Sequence, residues 1–501
     1  MQIVPLGLGV FLAAMDQTVV ASSYASIGSE LKQLQSTSWV ATGYMLTLTS
    51  FQPLYGKLSD IFGRKQCLLF AFSVFGVGCL FCGLARNMKE LIGARAIQGL
   101  GGAGISTVIT ILVSDVVPLR SRGTWQGVLN IIFATGAAVG APLGGILADG
   151  IGWRWAFLLQ VPMTSLAFII IFFAFHLPGG RDHQTDLMSK LRRIDFLGAF
   201  TLVCGVLSLL VGLDRGGNVS WREPITVISL SISFVFLAFF GLTETRLAAE
   251  PFAPARVLAH SSLIAAYLCN LFCIAAAISV VFNVALYLQA ASGASAAQAG
   301  LGLVPSVLGG VTGSLGCGLI MQRTGKYYWL TVGMYVAQFV GTVVLTAGTL
   351  LKKGSIGIGV VEAGLVVQAL GNGAGVTTTL IAIIANAAPE DQAIATAISY
   401  LFRSMGSVLG ISIGSTLVQN TLRKYLHERL KGHDVDVDEI ADRARSSLAS
   451  LASLPPKIQD IVRGSYAEAI RSAFIFSVVL AALALVSSFF IREKPLVRKS
   501  T

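Results

Sequence analysis

The chain has 501 residues, of which 54% are apolar and only 12% charged, and its mean hydropathy is +0.74. A soluble domain carries about a quarter charged residues and a disordered chain is more polar still, so both classes are excluded and the sequence belongs in a bilayer. The net charge of +11 does not point to nucleic acid, because the basic residues fall in short runs between apolar segments, where they would face an anionic cytoplasmic leaflet.

With about 20 apolar residues needed per membrane helix, the chain is predicted to be an all-α polytopic membrane protein with fourteen transmembrane helices. The spans lie at 3–24, 38–56, 67–85, 90–114, 125–147, 155–176, 195–213, 224–243, 262–288, 298–320, 328–350, 355–385, 394–419 and 471–491. The first lacks a basic leader and is too long for a cleaved signal peptide. No polar tail precedes it, which leaves open a cytoplasmic extension missing from this sequence. Lys and Arg are about twice as frequent in the loops on one side, and that bias puts both termini in the cytoplasm. Lys57, Arg64, Lys65, Arg120 and Arg122 lie on that inner side. The sequon Asn218-Val219-Ser220 then falls outside, with Asn218 a possible glycosylation site. A polar stretch at 420–470 reads as a long non-cytoplasmic loop, since long loops translocate whatever their charge, with a short surface helix at 436–449. All seven cysteines fall in or beside apolar stretches. Cys79 and Cys82 read as packing residues rather than a zinc or redox pair.

The spacing hides a duplication. Gly56-Lys-Leu-Ser-Asp60-Ile-Phe-Gly63-Arg64-Lys65 is answered by Gly318-Leu-Ile-Met-Gln322-Arg-Thr-Gly325-Lys326, at an offset of 325 − 63 = 262. Gln98 to Gly104 is answered by Gln368 to Gly375, and Pro118 by Pro389, both at 375 − 104 = 389 − 118 = 271. Spans 1–6 therefore correspond to spans 9–14. The expected organisation is an N-terminal six-helix half (1–194), two inserted helices with a linker (195–260) and a C-terminal six-helix half (261–501). Parallel halves related about the membrane normal belong to secondary transporters, which rock one half against the other around a site between them.

Several segments carry a resemblance. Gly56, Asp60, Gly63, Arg64 and Lys65 resemble the loop signature of the major facilitator superfamily, and Arg95, Gln98, Gly99 and Gly102 resemble its fourth-helix motif. Asp16-Gln17-Thr18-Val19-Val20 is similar to the first-helix signature of the fourteen-helix drug:proton antiporter branch. Trp153-Arg154-Trp155-Ala156-Phe157 and Pro251-Phe252-Ala253-Pro254 resemble segments of the same branch. The runs 51–60 and Leu159-Gln160-Val161-Pro162 look most like fungal vacuolar basic amino-acid transporters, drug exporters more often having Asn where Gln160 stands. Two features depart from the pattern. In the fifth-helix antiporter motif, Gly136, Gly140, Pro142, Gly144 and Gly145, the proline comes one residue late, and Gln322 stands where Asp60 stands in the first half. The resemblance implies a major facilitator fold and proton-coupled antiport of small cationic solutes. Basic amino acids carried into the vacuole lead; drug or toxin efflux at the plasma membrane is the alternative.

Ionisable residues inside a membrane are expensive and usually line a cavity or proton path. Four stand out: Asp16, Arg95, Glu362 and Arg403. At 1.5 Å per residue, Asp16, Arg95 and Glu362 fall about 8–12 Å from the outer ends of their spans, with Arg403 nearer the midplane. Asp16 and Arg95, with Gln98 beside them, are expected to pair across the N-terminal half, either as an exchange site where substrate cation and proton compete or as a fixed structural salt bridge. Glu362 either joins that site or snorkels to water. Arg403 either binds an anionic group or caps carbonyls. At the inner mouth Asp60 is expected to pair with nearby bases in one conformation, while Arg120 and Arg122 approach Glu390 and Asp391 across the closed mouth. Such exposed pairs tune a balance rather than fix it. The partners expected are a small cationic substrate, protons and lipid. No nucleotide loop, metal-ligand cluster or nucleophile elbow is present, so neither a cofactor nor an enzyme is expected; a nutrient receptor of the same fold remains a third reading.

Overall fold

The computed structural model describes residues 4–31, 38–174, 195–218, 220–246, 257, 260–291, 296–351, 355–430 and 455–496. Among them the chain is helical, with no strand. The helices are α1 (Val4–Glu30), α2 (Ser38–Phe62), α3 (Arg64–Leu84), α4 (Met88–Val116), α5 (Leu119–Gly150), α6 in two pieces (Arg154–Leu158 and Gln160–Ala174), α7 (Phe196–Asn218) and α8 (Pro224–Arg246). They continue as α9 (Ser261–Leu286), α10 (Ala296–Thr324), α11 (Tyr328–Gly348), α12 (Ser355–Asn386), α13 (Gln392–Arg429) and α14 (Pro456–Ser488). Twelve of these are long and apolar enough to cross a membrane. In α1 the apolar stretch is shorter, Leu6–Val20. Helix α2 carries Thr49, Ser50 and Gln52, which lower its hydropathy but are buried against protein rather than lipid. The segments 251–254 and 436–449 lie outside the described residues.

The described ends of the stretch expected as a loop at 420–470 are helix. Helix α13 continues to Arg429 and α14 begins at Pro456. At 38 residues α13 is about 57 Å long, well beyond a hydrocarbon core of ~30 Å. What holds the protruding ends is an apolar stripe at four-residue spacing. Val418, Leu422, Leu426 and Leu430 pack on Ile458, Val462, Tyr466 and Ile470, and Arg429 pairs with Glu468 at 2.6 Å. Polar composition hid a helical period. Asn218 closes α7, just ahead of the turn to α8 that Ser220 N–H to Arg215 O fastens at 3.2 Å.

Duplicated sequence becomes duplicated geometry. Gly63 and Gly325 both take positive φ, +94° and +69°, a conformation that costs glycine nothing. Each reverses the chain at the same face of the bundle, hereafter the loop face. The paired Gly56 and Gly318 sit where helices of opposite halves touch. A Cβ on Gly56 of α2 would lie 2.7 Å from Ala397 Cβ of α13, and one on Gly318 of α10 would meet the Gly123 carbonyl of α5. Two seams thus close the loop face, α2 on α13 and α10 on α5. Within each half a further match holds. Gly136 and Gly140 of α5 press on the backbones of Phe11 and Met15 of α1, while Gly406 and Gly410 of α13 press on those of Leu271 and Ala275 of α9. Here the offset is 406 − 136 = 410 − 140 = 270.

The inserted helices pack as a hairpin, with Ser233 Oγ donating to Gly205 O at 2.9 Å. Leu202, Val206 and Leu210 of α7 join a core with Leu46 and Leu54 of α2 and Ile394 and Ile398 of α13. One α2–α13 seam is therefore shielded by α7, while α8 turns side chains such as Phe234 (77% exposed) outward, as a lipid-facing helix does.

If these seams are the gate, widening one opens it. In a background without other cysteines, Gly318→Val should make a cysteine at Gln126 label several-fold faster with a maleimide added at the loop face. Unchanged labelling would show that α10 and α5 do not close this mouth.

Candidate functional site

The start of α4 is fixed by a reciprocal cap. Asn87 Oδ1 accepts from Glu90 N–H at 2.9 Å, and Glu90 in turn accepts from Arg86 N–H at 2.9 Å and from Asn87 Nδ2 at 2.7 Å, the arrangement that satisfies orphan donors at a helix start. From that anchored end, Arg95 and Gln98 project one turn apart into the N-terminal half, where Arg95 is 1% exposed and both Asp16 and Gln98 are fully buried. Arg95 donates to Asp16 Oδ2 at 2.7 Å and to Gln98 Oε1 at 2.6 Å. Gln98 Nε2 donates to Asp16 Oδ1 at 2.9 Å, and Gln160 Nε2 of α6 donates to the same oxygen at 3.2 Å. The second guanidinium edge reaches Val40 O of α2 at 3.1 Å, and the Tyr44 ring covers the cation at 4.3 Å. Four helices, α1, α2, α4 and α6, are thereby tied to one charge pair.

The pairing expected between Asp16, Arg95 and Gln98 is present; Glu362 is not part of it. The half-buried Glu362 carboxylate faces Gly302 of α10 in the other half and has no partner among the described residues. The place corresponding to Asp16 in α9 holds Ala276 (16 + 260), so only Gln98 has its counterpart, Gln368. Gln368 Nε2 is buried without a hydrogen-bond partner. Cys79 and Cys82 lie on the Gln98 amide, with Gln98 Nε2 to Cys79 Sγ at 3.0 Å.

At the loop face Arg64 gathers carboxylates within its own half: Asp60 Oδ1 at 2.5 Å and Asp115 Oδ2 at 2.9 Å. Lys65 donates to Phe172 O at 2.7 Å. The bases of α5 do cross to the other half. Arg120 donates to the carbonyls of Gln322 and of Arg323, the latter at 2.7 Å. These are last-turn carbonyls of α10, where a cation is favoured by the helix dipole. Arg122 reaches Gln392, next to Asp391, at 3.4 Å, and Thr124 donates to Gln322 Oε1 at 2.9 Å. Gln322, which breaks the first-half pattern, is therefore the receiving side of the seam. Glu390 and Asp391 form the short turn ahead of α13, with Asp391 buried.

Further from that face, Thr110 and Tyr400 share a hydrogen bond at 2.7 Å, Asn130 donates to Ser314 at 2.7 Å and Ser404 to Gln52 at 3.1 Å. Beside these lies a cavity of about 150 Å³ between the halves, bounded by α1, α4, α5 and α13 and containing Arg403. In α5, Gly136 and Gly140 seat α1, Gly144 O accepts from Ser23 at 3.3 Å, Gly145 meets open space and Pro142 faces outward within an unbroken helix.

Three participants lie outside the sequence expectations: Gln160, whose amide reaches Asp16, Asp115, which receives Arg64, and Asn130, which donates to Ser314. No spacing in the sequence marks any of them.

A buried pair tolerates loss of both charges better than loss of one. Arg95→Met should destabilise the protein by about 3–5 kcal/mol, and Asp16→Leu combined with Arg95→Met should recover most of that, as read from denaturation midpoints in detergent. An Arg95→Met protein as stable as the parent would contradict the geometry.

The chain matches the Major Facilitator Superfamily over residues 6–411. It is 40% identical to the vacuolar membrane amino acid uptake transporter fnx2 of Schizosaccharomyces pombe, over 98% of this chain and 83% of that protein. It is 39% identical to the multidrug resistance protein fnx1 of the same organism, over 95% and 89%. With the vacuolar basic amino acid transporter 2 of Saccharomyces cerevisiae the identity is 33%, over 90% and 96%. Its fold is like that of the human organic anion transporter MFSD10, with a TM-score of 0.60 at 13% identity over 98% and 99% of the two chains. These matches place the chain, an integral membrane protein, in the Major Facilitator Superfamily of transporters.

Proposed function

We propose that the protein is a proton-coupled antiporter of small cationic solutes, foremost basic amino acids, which it moves into the vacuole by alternating access. The observation that carries this reading is the Asp16–Arg95 pair: one carboxylate, fully buried and answered by one guanidinium and two amides. A proton on Asp16 would remove the charge that Arg95 answers, leaving a guanidinium unpaired in a dry interior. That is costly enough to force rearrangement. Rearrangement has a mechanical path, because α1 lies backbone to backbone on α5 through Gly136 and Gly140, and α5 carries Arg120 and Thr124 into the seam with α10. In this conformer the carboxylate is out of reach of a solute in the cavity, so proton and substrate cation compete for it through the change of conformation. The site roles of Asp60, Arg64, Arg120 and Arg122 in this reading are to weight the closed state.

Similarity to vacuolar amino acid transporters supports the substrate and the compartment. The nearly equal similarity to a multidrug resistance protein favours drug efflux at the plasma membrane as the second reading.

Labelled lysine taken up into acid-loaded proteoliposomes tests the proposal. The parent protein should accumulate lysine only while the gradient lasts, and Asp16→Asn should lower that uptake at least about tenfold, a loss of ~1.4 kcal/mol in the coupled step, while still folding. Gradient-driven uptake intact in Asp16→Asn would remove Asp16 from coupling.

A further inference from the structure

Arg403 sits in α13 of the C-terminal half and points into the cavity between the halves. It is half-buried, and its only described contact of direction is the Tyr400 ring, 4.8 Å from the guanidinium carbon. Among the described residues no carboxylate stands within ion-pair reach of it, and none of its guanidinium N–H groups has an acceptor. The walls facing it from the other half are neutral: Ala13 of α1, Ser106 and Thr110 of α4, and Gln126 and Asn130 of α5. The nearest acid on α1, Asp16, is one turn beyond Ala13 and already answered by Arg95.

An unanswered guanidinium in a membrane interior is costly, and such groups pair with something. It also repels any solute that is only a cation. Arg95 illustrates the contrast, since its guanidinium donates to Asp16, Gln98 and Val40 O. A planar fork of donors facing a polar cavity is suited to a carboxylate, which it grips with two parallel charge-assisted hydrogen bonds. At about 150 Å³ the space is also below the roughly 300–1,000 Å³ of pockets for drug-sized ligands.

We propose that Arg403 is the specificity residue that reads the carboxylate of the transported solute, so that the substrate is an amino acid as a zwitterionic headgroup and not a simple amine or lipophilic cation. This rests on the reading of the inter-half cavity as the transport site. The carboxylate docks on Arg403, the α-ammonium lies against the ring faces of Tyr400 and Phe133, which attract cations, and the side chain is left to extend along the amides of Gln126 and Asn130.

Matched solutes with and without the carboxylate test it on the full chain in proteoliposomes: lysine against cadaverine, arginine against agmatine, histidine against histamine, and lysine methyl ester. The parent should move the amino acids, with the decarboxylated and esterified partners competing at least about tenfold more weakly. Arg403→Gln should raise KM for lysine at least about tenfold and narrow the gap between lysine and cadaverine, and Arg403→Lys should restore part of it. Equal competition by amines and amino acids in the parent overturns the role of Arg403 while leaving amino-acid transport standing. Movement of neutral amino acids but not basic ones overturns the basic-substrate reading and upholds the carboxylate contact. Movement of amines or drug cations alone overturns both. The solute panel on the parent protein decides the matter even if an Arg403 variant fails to fold.

Discussion

A carboxylate and a guanidinium held together out of water set the terms for this protein. Asp16 and Arg95 are worth keeping only as a pair, since either alone in the interior is penalised by several kcal/mol. Around them the sequence supplies what a dry pair needs: Gln98 and Gln160 for the remaining lone pairs, Val40 O for the second guanidinium edge, and the Tyr44 face above the cation. The pair belongs to one half alone. Where the second half would repeat the acid it has alanine, so the buried pair is not repeated there.

Small residues turn the pair into a part of a machine. Helices in lipid associate through close packing rather than through a hydrophobic drive, and four of the close approaches at glycine bear on how the halves are joined. Two join each half internally, α1 on α5 and α9 on α13. Two join the halves, α2 on α13 and α10 on α5. The same helices, α5 and α13, take part in both kinds of contact, so a shift of α1 relative to α5 is felt at the seam with α10. Polar contacts at the seam include Arg120 on the last-turn carbonyls of α10 and Thr124 on Gln322, and such contacts exchange more readily than a buried ion pair.

The membrane class, the fourteen helices and the duplication were legible because lipid imposes length and hydropathy on each span and because glycine turns repeat at readable offsets. Gly63 and Gly325 are matched in sequence and matched again in φ. The pairing of Asp16 with Arg95 was legible because unpaired charge is so rarely tolerated in a span. Gln160, Asp115 and Asn130 were not, because an amide or a helix-end acid has many structural uses and only the fold decides which neighbour it meets. The protruding ends of α13 and α14 were missed for a different reason: charged residues on their wet faces dominated the composition, although Val418, Leu422, Leu426 and Leu430 keep a helical stripe throughout. Glu362 shared a depth with Asp16 and Arg95, but depth in the membrane says nothing of which half a side chain faces.

The central claim is that loss of the Asp16 charge moves one half against the other about these seams. Pulsed electron–electron resonance between spin labels on the loop-face ends of α5 and α10, and between labels on the opposite ends of α1 and α9, measures it in lipid nanodiscs. On acidification the account predicts opposite changes in the two distances, reproduced at neutral pH by Asp16→Asn. Distances that stay fixed under both treatments would contradict it.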